Sequence, residues 1–521
     1  MLIKDYLKNN PDNIQKLNSY SEEVLIFLEL NLKPVEKILN SLYAEKSRGR
    51  PHKDPVKIFR SLLLMTALNE TGITEFSKRL KREEILAVLC QWEPDDTPST
   101  GTFYNFIYRL QDGPYKKPCC HIEKPSQSDK GTHRRNLRNE KLQKAEKEKQ
   151  QQDYDENDLV TDKLTKFLLK HTDEARQEDL LKRLEDIFMS IAIKPSYEKG
   201  LLGDIEKLDV SGDGSCIKSG ANENGKPTCR CFRQGIKKCG CDRLYKDPDA
   251  DWGYDSYNER FYFGDKFYQI CNFASKHNLP LHIFIGPASE TDYTLSLKSF
   301  DRMLKLFKEH DFPAIITGAS FDKGHDAMGI YDYFFQKNIP VAIPLNKRGE
   351  KVTIRGIKFS ENGVPICKGG LPMRYHGYNP RKKRHLYCCP VKKAAQRDNK
   401  RIYIAYPEEC PLKVLCEPDT VLSPTVHVSI KSNLRIFPVI PRDSKRYKEL
   451  YKERTATERS NSAKKFAYPL ERALCKSRAH RIIRLYLISI IEHKKAIYKE
   501  ETKGLTKEQI LELILKKIEM Q

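Results

Sequence analysis

The stretch between residues 204 and 345 constrains the fold most, because apolar runs of strand length there give way to helical periodicity. Five strand candidates follow one another: IEKLDVSG, RFYFGDKFYQI, LPLHIFIG, PAIITGAS and IPVAIPL. Each is rich in β-branched or aromatic residues and is bounded by turn formers. The helical stretches TLSLKSFDRMLKLFKEH and HDAMGIYDYFFQKN separate only the last three. Strands joined directly can pair antiparallel, whereas strands joined through a helix return in parallel. The pattern predicts an α/β fold with a sheet of mixed direction and parallel later strands.

Ligands of such sheets gather at the carboxyl ends of strands. Two aspartates sit there. Asp213 follows KLDVSG within Gly212-Asp213-Gly214-Ser215, where small neighbours let a phosphate or ion approach. Asp322 ends AIITGASF and leads through Lys323-Gly324-His325 into the next helix. Taken singly, each also reads as a strand-end turn or helix-cap aspartate. His325 reads as a turn histidine with no part in catalysis, the alternative being a contact with DNA or substrate.

A third carboxylate stands far along the chain, in the row Tyr451, Arg454, Glu458 and Lys465. At about 100° per residue these four fall within an arc of roughly 60° on one helix face. A carboxylate flanked by cations is what a metal-dependent phosphodiester site needs: the acid holds a divalent ion and the bases hold phosphates. A solvated charged helix face is the alternative.

Charge favours a polyanionic partner. The chain carries 93 Lys and Arg against 71 Asp and Glu, a net +22 over 521 residues, which allows a large core beneath a strongly positive surface. Nucleic acid is the expected partner and no membrane is expected, since no basic amphipathic helix adjoins a lipid anchor or transmembrane segment. The most apolar run, Ile482 to Ile491, is short, contains Arg484 and reads as a buried helix. The first residues show no apolar stretch of signal-peptide length, so a reducing cytoplasmic, nucleoid-associated location is expected. The 15 cysteines are then thiols or metal ligands.

Around this core, residues 1–115 read as a compact helical module, either DNA-binding or simply packing. Within it, Thr97 to Thr100 offer cap residues before TFYNFIYRL. Residues 116–160 form a charged linker almost without apolar side chains, 161–203 a helical connector and 204–345 the first part of the core. Residues 346–442 read as a β-rich, cysteine-containing insertion with strand candidates KVTIRGIKF, RHLYC, RIYIAY, TVHVSI and LRIFPVI. Residues 443–500 form C-terminal core helices and 501–521 a tail helix. Arg381-Lys382-Lys383-Arg384 is a basic patch that either contacts DNA or is a solvated loop. The four thiols of Cys229-x-Cys231-x7-Cys239-x-Cys241 can close a tetrahedral structural Zn²⁺ site, the alternative being a metal-free loop. Cys367, Cys388 or Cys389, Cys410 and Cys416 form a second, more widely spaced set.

The spacing Tyr451-x2-Arg454-x3-Glu458-x6-Lys465 resembles the Y-R-E-K signature of bacterial insertion-sequence transposases with a DDE triad. FDKGHDAMGIYDYFFQKNIPVAIPLNKRG resembles that family's second-aspartate region, and SGDGS its first-aspartate strand. GRPHKDPVKIFRSLLLMTALNETGITEFSKRL and PSTGTFYNFIYRL are similar to its N-terminal helical region. The likeness covers most of the chain, apart from the charged linker and the cysteine-rich insertions. It implies an RNase H-like core interrupted by the insertion, with Asp213, Asp322 and Glu458 as a catalytic triad holding Mg²⁺, for which Mn²⁺ would substitute. It further implies that Tyr451, Arg454 and Lys465 hold the DNA end. The implied reaction cuts double-stranded DNA at terminal inverted repeats and joins the 3′-hydroxyl ends to target DNA, within a homodimeric complex. A catalytically inactive, host-adopted DNA-binding protein and a related metal-dependent nuclease are the alternatives.

Overall fold

The computed structural model describes residues 13–43, 51–113, 179–224, 249–273, 276–346, 356–397 and 424–520, with short pieces such as 243–247, 400–404 and 409–412 between them. Most of the expected charged linker and the first half of the helical connector lie outside the described residues.

The N-terminal module is helical, as its periodicity requires: α1 (Asn13–Ser19), α2 (Ser21–Glu29), α3 (Lys33–Asn40), α4 (Pro55–Ala67), α5 (Ile73–Arg82), α6 (Glu84–Leu89) and α7 (Thr100–Asp112). Local chemistry sets the starts. The Asp54 side chain accepts from the N–H groups of Val56 and Lys57, with Pro55 at the first helical position, and Ser99 caps α7 through Thr102. Arg60 is buried on α4, where its guanidinium donates to the carbonyls of Leu89 (2.6 Å) and Leu30 (3.2 Å) and ties three elements together. After α8 (Asp179–Phe188), a π-helical turn over Met189–Ile193 and α9 (Lys194–Glu198), the chain enters the sheet.

The sheet comprises β1 (Leu208–Lys218), β2 (Asp251–Asp255), β3 (Arg260–Asn272), β4 (Pro280–Pro287), β5 (Ile316–Ser320) and β6 (Val341–Ala342). Its order is β2-β3-β1-β5-β6, with β4 also paired to β3. The contacts β1–β3, β2–β3 and β3–β4 are antiparallel, while β1–β5 and β5–β6 are parallel. The helices α10 (Asp292–Glu309) and α11 (Met328–Gln336) make the crossovers that parallel pairing demands. The mixed α/β sheet thus follows the sequence pattern, with two differences. The short strand β2 was not anticipated, and β1 does not end before Asp213 but runs through it to Lys218.

The described residues between 356 and 442 build a small sheet with a core of its own. The sheet pairs β7 (Arg374–Asn379), β8 (Arg384–Cys388) and β11 (Thr425–Ser429), beside the hairpin β9 (Lys393–Arg397) and β10 (Lys400–Ile404). Its own core holds Val364, Met373, Tyr387, Val428, Ile436 and Phe437. The expected strand LRIFPVI is instead irregular. Pro438 removes a ladder donor there, and Ile436 and Phe437 plug the small core. The Arg435 guanidinium fastens this small sheet to the main one by donating to Asp326 (3.0 Å).

The C-terminal helices are α12 (Lys445–Lys452), α13 (Thr455–Phe466), α14 (Arg478–Glu501) and α15 (Lys507–Met520). The apolar run read as a buried helix is the middle of α14, and no helix among the described residues is long and apolar enough to cross a membrane. One continuous core runs from α2 through the sheet to α14 and α15, so the N-terminal module shares its apolar interior with the sheet domain. At its start α14 is moored by charge: the buried Asp265 of β3 accepts from Arg478 and Arg481, and Arg481 also reaches Asp247 (2.6 Å). Carboxylates and guanidiniums at such depth persist only as mutual partners.

Candidate active site

Helix α13 lies on β1 in a register that places its side chains along the strand. The hydroxyls of Ser211 and Thr457 meet at 2.5 Å, and the Asn461 amide donates to Asp213 (3.3 Å). Further on, the Lys465 ammonium reaches the Cys216 sulfur (3.5 Å). Thr457, Asn461 and Lys465 recur every four residues, so one stripe of α13 follows β1. Glu458 stands one residue round from that stripe.

The neighbouring strand β5 stops pairing with β1 at Ser320, opposite Ser211, whereas β1 stays paired to β3 through Lys218. From Gly212 onward, therefore, the β5-facing edge of β1 is open among the described residues. Asp213 lies on that open stretch, and Asp322 follows the end of β5 by two residues. The glycines on either side of Asp213 are there for space. A Cβ at Gly212 would strike the Tyr268 ring, and one at Gly214 would strike the Asp292 carboxylate.

Carboxylates far apart in the chain act on one another through space at this edge. Burial first, then the charges of Asp322, Asp292 and, more weakly, Glu458, push the Asp213 carboxyl up to about 7; His325 draws it down only in part. Asp322 moves the other way. Burial works to raise it, but the hydrogen bond and charge of His325, the Gly324 N–H and the charge of Arg454 together hold it below the ordinary carboxylate range. Two acids whose environments drive them apart are a common mark of a chemical site. The buried His325 joins Asp322 through Nδ1 and meets the Tyr268 hydroxyl at Nε2 (3.0 Å). Both ring nitrogens are engaged: Nδ1–H donates to the carboxylate, and Nε2 shares a hydrogen bond with the phenol hydroxyl. His325 is therefore more than a turn residue.

The C-terminal row is not one continuous helix face. α12 ends at Lys452 and α13 begins at Thr455, with Glu453 and Arg454 forming a turn between them. Arg454 and Glu458 nevertheless pair directly (2.5 Å). Tyr451 ends up behind Arg454: its ring stacks on Tyr447 at 5.8 Å, and the guanidinium sits 5.5 Å above it. Arg454 and Glu458 thus belong to the acid cluster, Lys465 borders it through Cys216, and Tyr451 props Arg454 from below.

Sequence reading missed Asp292 and Asn461. Asp292 opens α10, where an acid in the first turn is ordinary helix chemistry, so no signal set it apart. Its carboxylate pairs with Lys266 (3.3 Å). Asn461 is buried and its side-chain oxygen has no hydrogen-bond partner among the described residues, a fact invisible without tertiary structure.

An oxygen-only donor set suits a hard divalent cation such as Mg²⁺. The fit shows in Asp213, whose carboxyl is raised first by burial and then by the neighbouring carboxylates, a penalty on its charged form that such a cation would offset. Among the described residues no three metal-ligating side chains converge on one point, because Asp322 is turned to His325 and Glu458 to Arg454. Both carboxylates are only partly covered, at 42% and 45% exposure, so both are open to solvent beside their present partners.

Of the first cysteine set, Cys229, Cys239 and Cys241 lie outside the described residues. In the second, Cys389 and Cys410 share a small buried cluster with Val391, while Cys367 packs against the core of the neighbouring small sheet. The patch Arg381 to Arg384 occupies the turn between β7 and β8. No protein-family model matches the chain, and no curated protein matches it either.

Proposed function

We propose that this protein is a DDE transposase, cutting DNA at transposon ends and joining the 3′-hydroxyl ends to target DNA by two-metal phosphoryl transfer. The observation that carries this reading is the gathering of Asp213, Asp322 and Glu458 within one electrostatic field at the open edge of β1. These three acids were singled out from spacing and resemblance alone. The implied RNase H-like core finds support in the sheet, where an antiparallel β1–β3–β4 set is extended by the parallel strands β5 and β6.

Asp213, Asp322 and Glu458 are the residues that would hold Mg²⁺, or Mn²⁺ in its place. Bound there, the ions would activate the attacking oxygen and stabilise the leaving oxygen of an in-line displacement. The protein's own groups set the stage. His325 keeps its Nδ1 proton toward Asp322 and orients that carboxylate, and the Asn461 amide orients Asp213. Arg454 holds Glu458 while that acid lacks another partner, and is then free to meet a phosphate oxygen of the DNA end. Lys465, at the far end of the stripe, offers a second phosphate contact. Tyr451 fixes the height of the Arg454 guanidinium. Joining two ends calls for a homodimer on double-stranded DNA.

The test is Mg²⁺-dependent nicking of a plasmid carrying the element's own terminal repeats. Asp213→Asn, Asp322→Asn and Glu458→Gln should each lower nicking by roughly 10²–10³-fold or more. Normal cutting by all three variants sinks the assignment. Insertion of a supplied 3′-hydroxyl end into a target plasmid separates a transposase from a nuclease that only cuts.

A further inference from the structure

Arg484 interrupts the most apolar run of the sequence, and its charge goes unanswered among the described residues. On α14 it is only 8% exposed, yet no hydrogen bond or ion pair reaches its guanidinium there, and its Nε is buried without a partner. Other deep guanidiniums are answered: Arg60 by carbonyls, Arg435 by Asp326, and Arg481 by Asp247 and Asp265. The group that acts on Arg484 is the Cys475 thiol. Burial pushes that thiol up, so it stays protonated and brings no counter-charge. Burial also draws the Arg484 guanidinium below its ordinary range, the expected strain on a cation without a partner.

The guanidinium lines a cavity of about 240 Å³ at the seam between the N-terminal helices and α14. Its apolar walls are Leu62 and Met65 of α4, Ile73 of α5, Ile107 of α7, and Ile483 and Leu487 of α14. His480, Arg484 and Leu487 recur at helical spacing, so one stripe of α14 faces the cavity. The His480 Nε2 is likewise buried without a partner, and burial followed by the Arg481 charge keeps that ring neutral. No carboxylate lines the cavity among the described residues. Apolar walls around one cation and one neutral nitrogen suit a small anion with an apolar body. A planar guanidinium fork matches the two oxygens of a carboxylate, and a single cation balances a single negative charge. Phosphates of duplex DNA keep their water and lie along open surfaces, whereas Arg484 is enclosed by aliphatic walls. The volume is below that of a drug-sized site, so the body is short.

We propose that this cavity binds a short-chain organic carboxylate, with its head on Arg484 and His480 and its tail between α4, α5, α7 and α14. None of the acid-cluster residues lines it, so the site is separate from the proposed chemistry and does not rest on the DNA reading. Because the walls come from both the N-terminal helices and α14, an occupant ties the two together and stabilises the fold. The probe is octanoate, followed by titration calorimetry and by thermal melts of the full chain. Octanol is the uncharged match, and sodium chloride the inorganic control.

Octanoate should bind, raise the melting temperature and outbind octanol by about 10–100-fold. Arg484→Met should weaken octanoate by the same factor and leave octanol binding unchanged. Without ligand, that variant should melt no lower than the wild type, because it removes an unanswered charge. Ile73→Trp narrows the cavity with Arg484 in place and should weaken both ligands, which keeps the test decisive if the methionine variant misfolds. Failure of octanoate to bind, equal binding of octanoate and octanol, or octanoate binding that survives Arg484→Met overturns the proposal. Chloride that raises the melting temperature as much as octanoate makes this an inorganic-anion site and also overturns it. A ligand-free Arg484→Met protein that folds but melts well below the wild type shows that the guanidinium is answered within the chain, with the same consequence.

Discussion

Replacing Asp213 with Asn should stabilise the metal-free protein, although most changes in a buried cluster do the reverse. The folded structure pushes this carboxyl from 3.8 up to about 7. The raised value means that the fold resists the ionised form. Stability is therefore lost as pH rises from the ordinary value toward about 7, and the loss is complete above it. A shift of about 3 units corresponds to about 4 kcal/mol at full strength, and partial solvent access to the site brings it nearer 2 kcal/mol. Asparagine keeps the shape and can still face Asn461, but it carries no charge for Asp322, Asp292 and Glu458 to repel. With the unfolding entropy expected for 521 residues, the melting temperature should rise by roughly 2–4 °C. Circular dichroism melts in chelator at pH 8 and at pH 4.5 measure this, and the gain should shrink at the lower pH, where the wild-type carboxyl is already protonated. Added Mg²⁺ should raise the melting temperature of the wild type and not of the variant. An Asn variant that melts at or below the wild type at both pH values would refute the crowded-acid picture.

Gly214→Ala should destabilise the protein by about 1–3 kcal/mol, because the new Cβ meets the Asp292 carboxylate. The loss should largely vanish in an Asp292→Ala background, as denaturant titration of the four proteins would show. Asp265→Ala should cost about 3–5 kcal/mol by denaturant titration, since it removes the buried carboxylate that Arg478 and Arg481 share and leaves Asp247 alone to offset Arg481. His325→Ala should lower Mg²⁺-dependent nicking by about 10–100-fold, with a higher half-saturating Mg²⁺ concentration, because Asp322 loses the group that orients it.

Much of the fold was legible in local pattern. The strands around LPLHIFIG and PAIITGAS and the helices after them formed where periodicity placed them, because a buried strand or amphipathic helix must repeat its apolar residues in register with its geometry. Boundaries failed where partners decided. β1 continues through Asp213 because β3 pairs with it over nine consecutive residues, and no local preference of Gly-Asp-Gly encodes that partner. LRIFPVI fails as a strand because Pro438 lacks a donor and the apolar side chains Ile436 and Phe437 fill a small core instead. The Tyr451 to Lys465 row was expected on one helix face and is not continuous, since the helix is interrupted at Glu453 and Arg454.

The sequence by itself determined the three acids and their neighbouring cations, as well as the alternation that makes the sheet mixed, because residue identity and spacing are properties of the chain alone. Only the tertiary structure decided that Asp213, Asp322 and Glu458 share one field, that Asp292 joins them, that His325 and Asn461 orient two of them, and that Arg484 lines an apolar cavity. The physical reason is range. Helix and strand preferences act over a few residues, whereas charge repulsion, burial and close approach act through space, between groups that the chain separates by more than 200 positions.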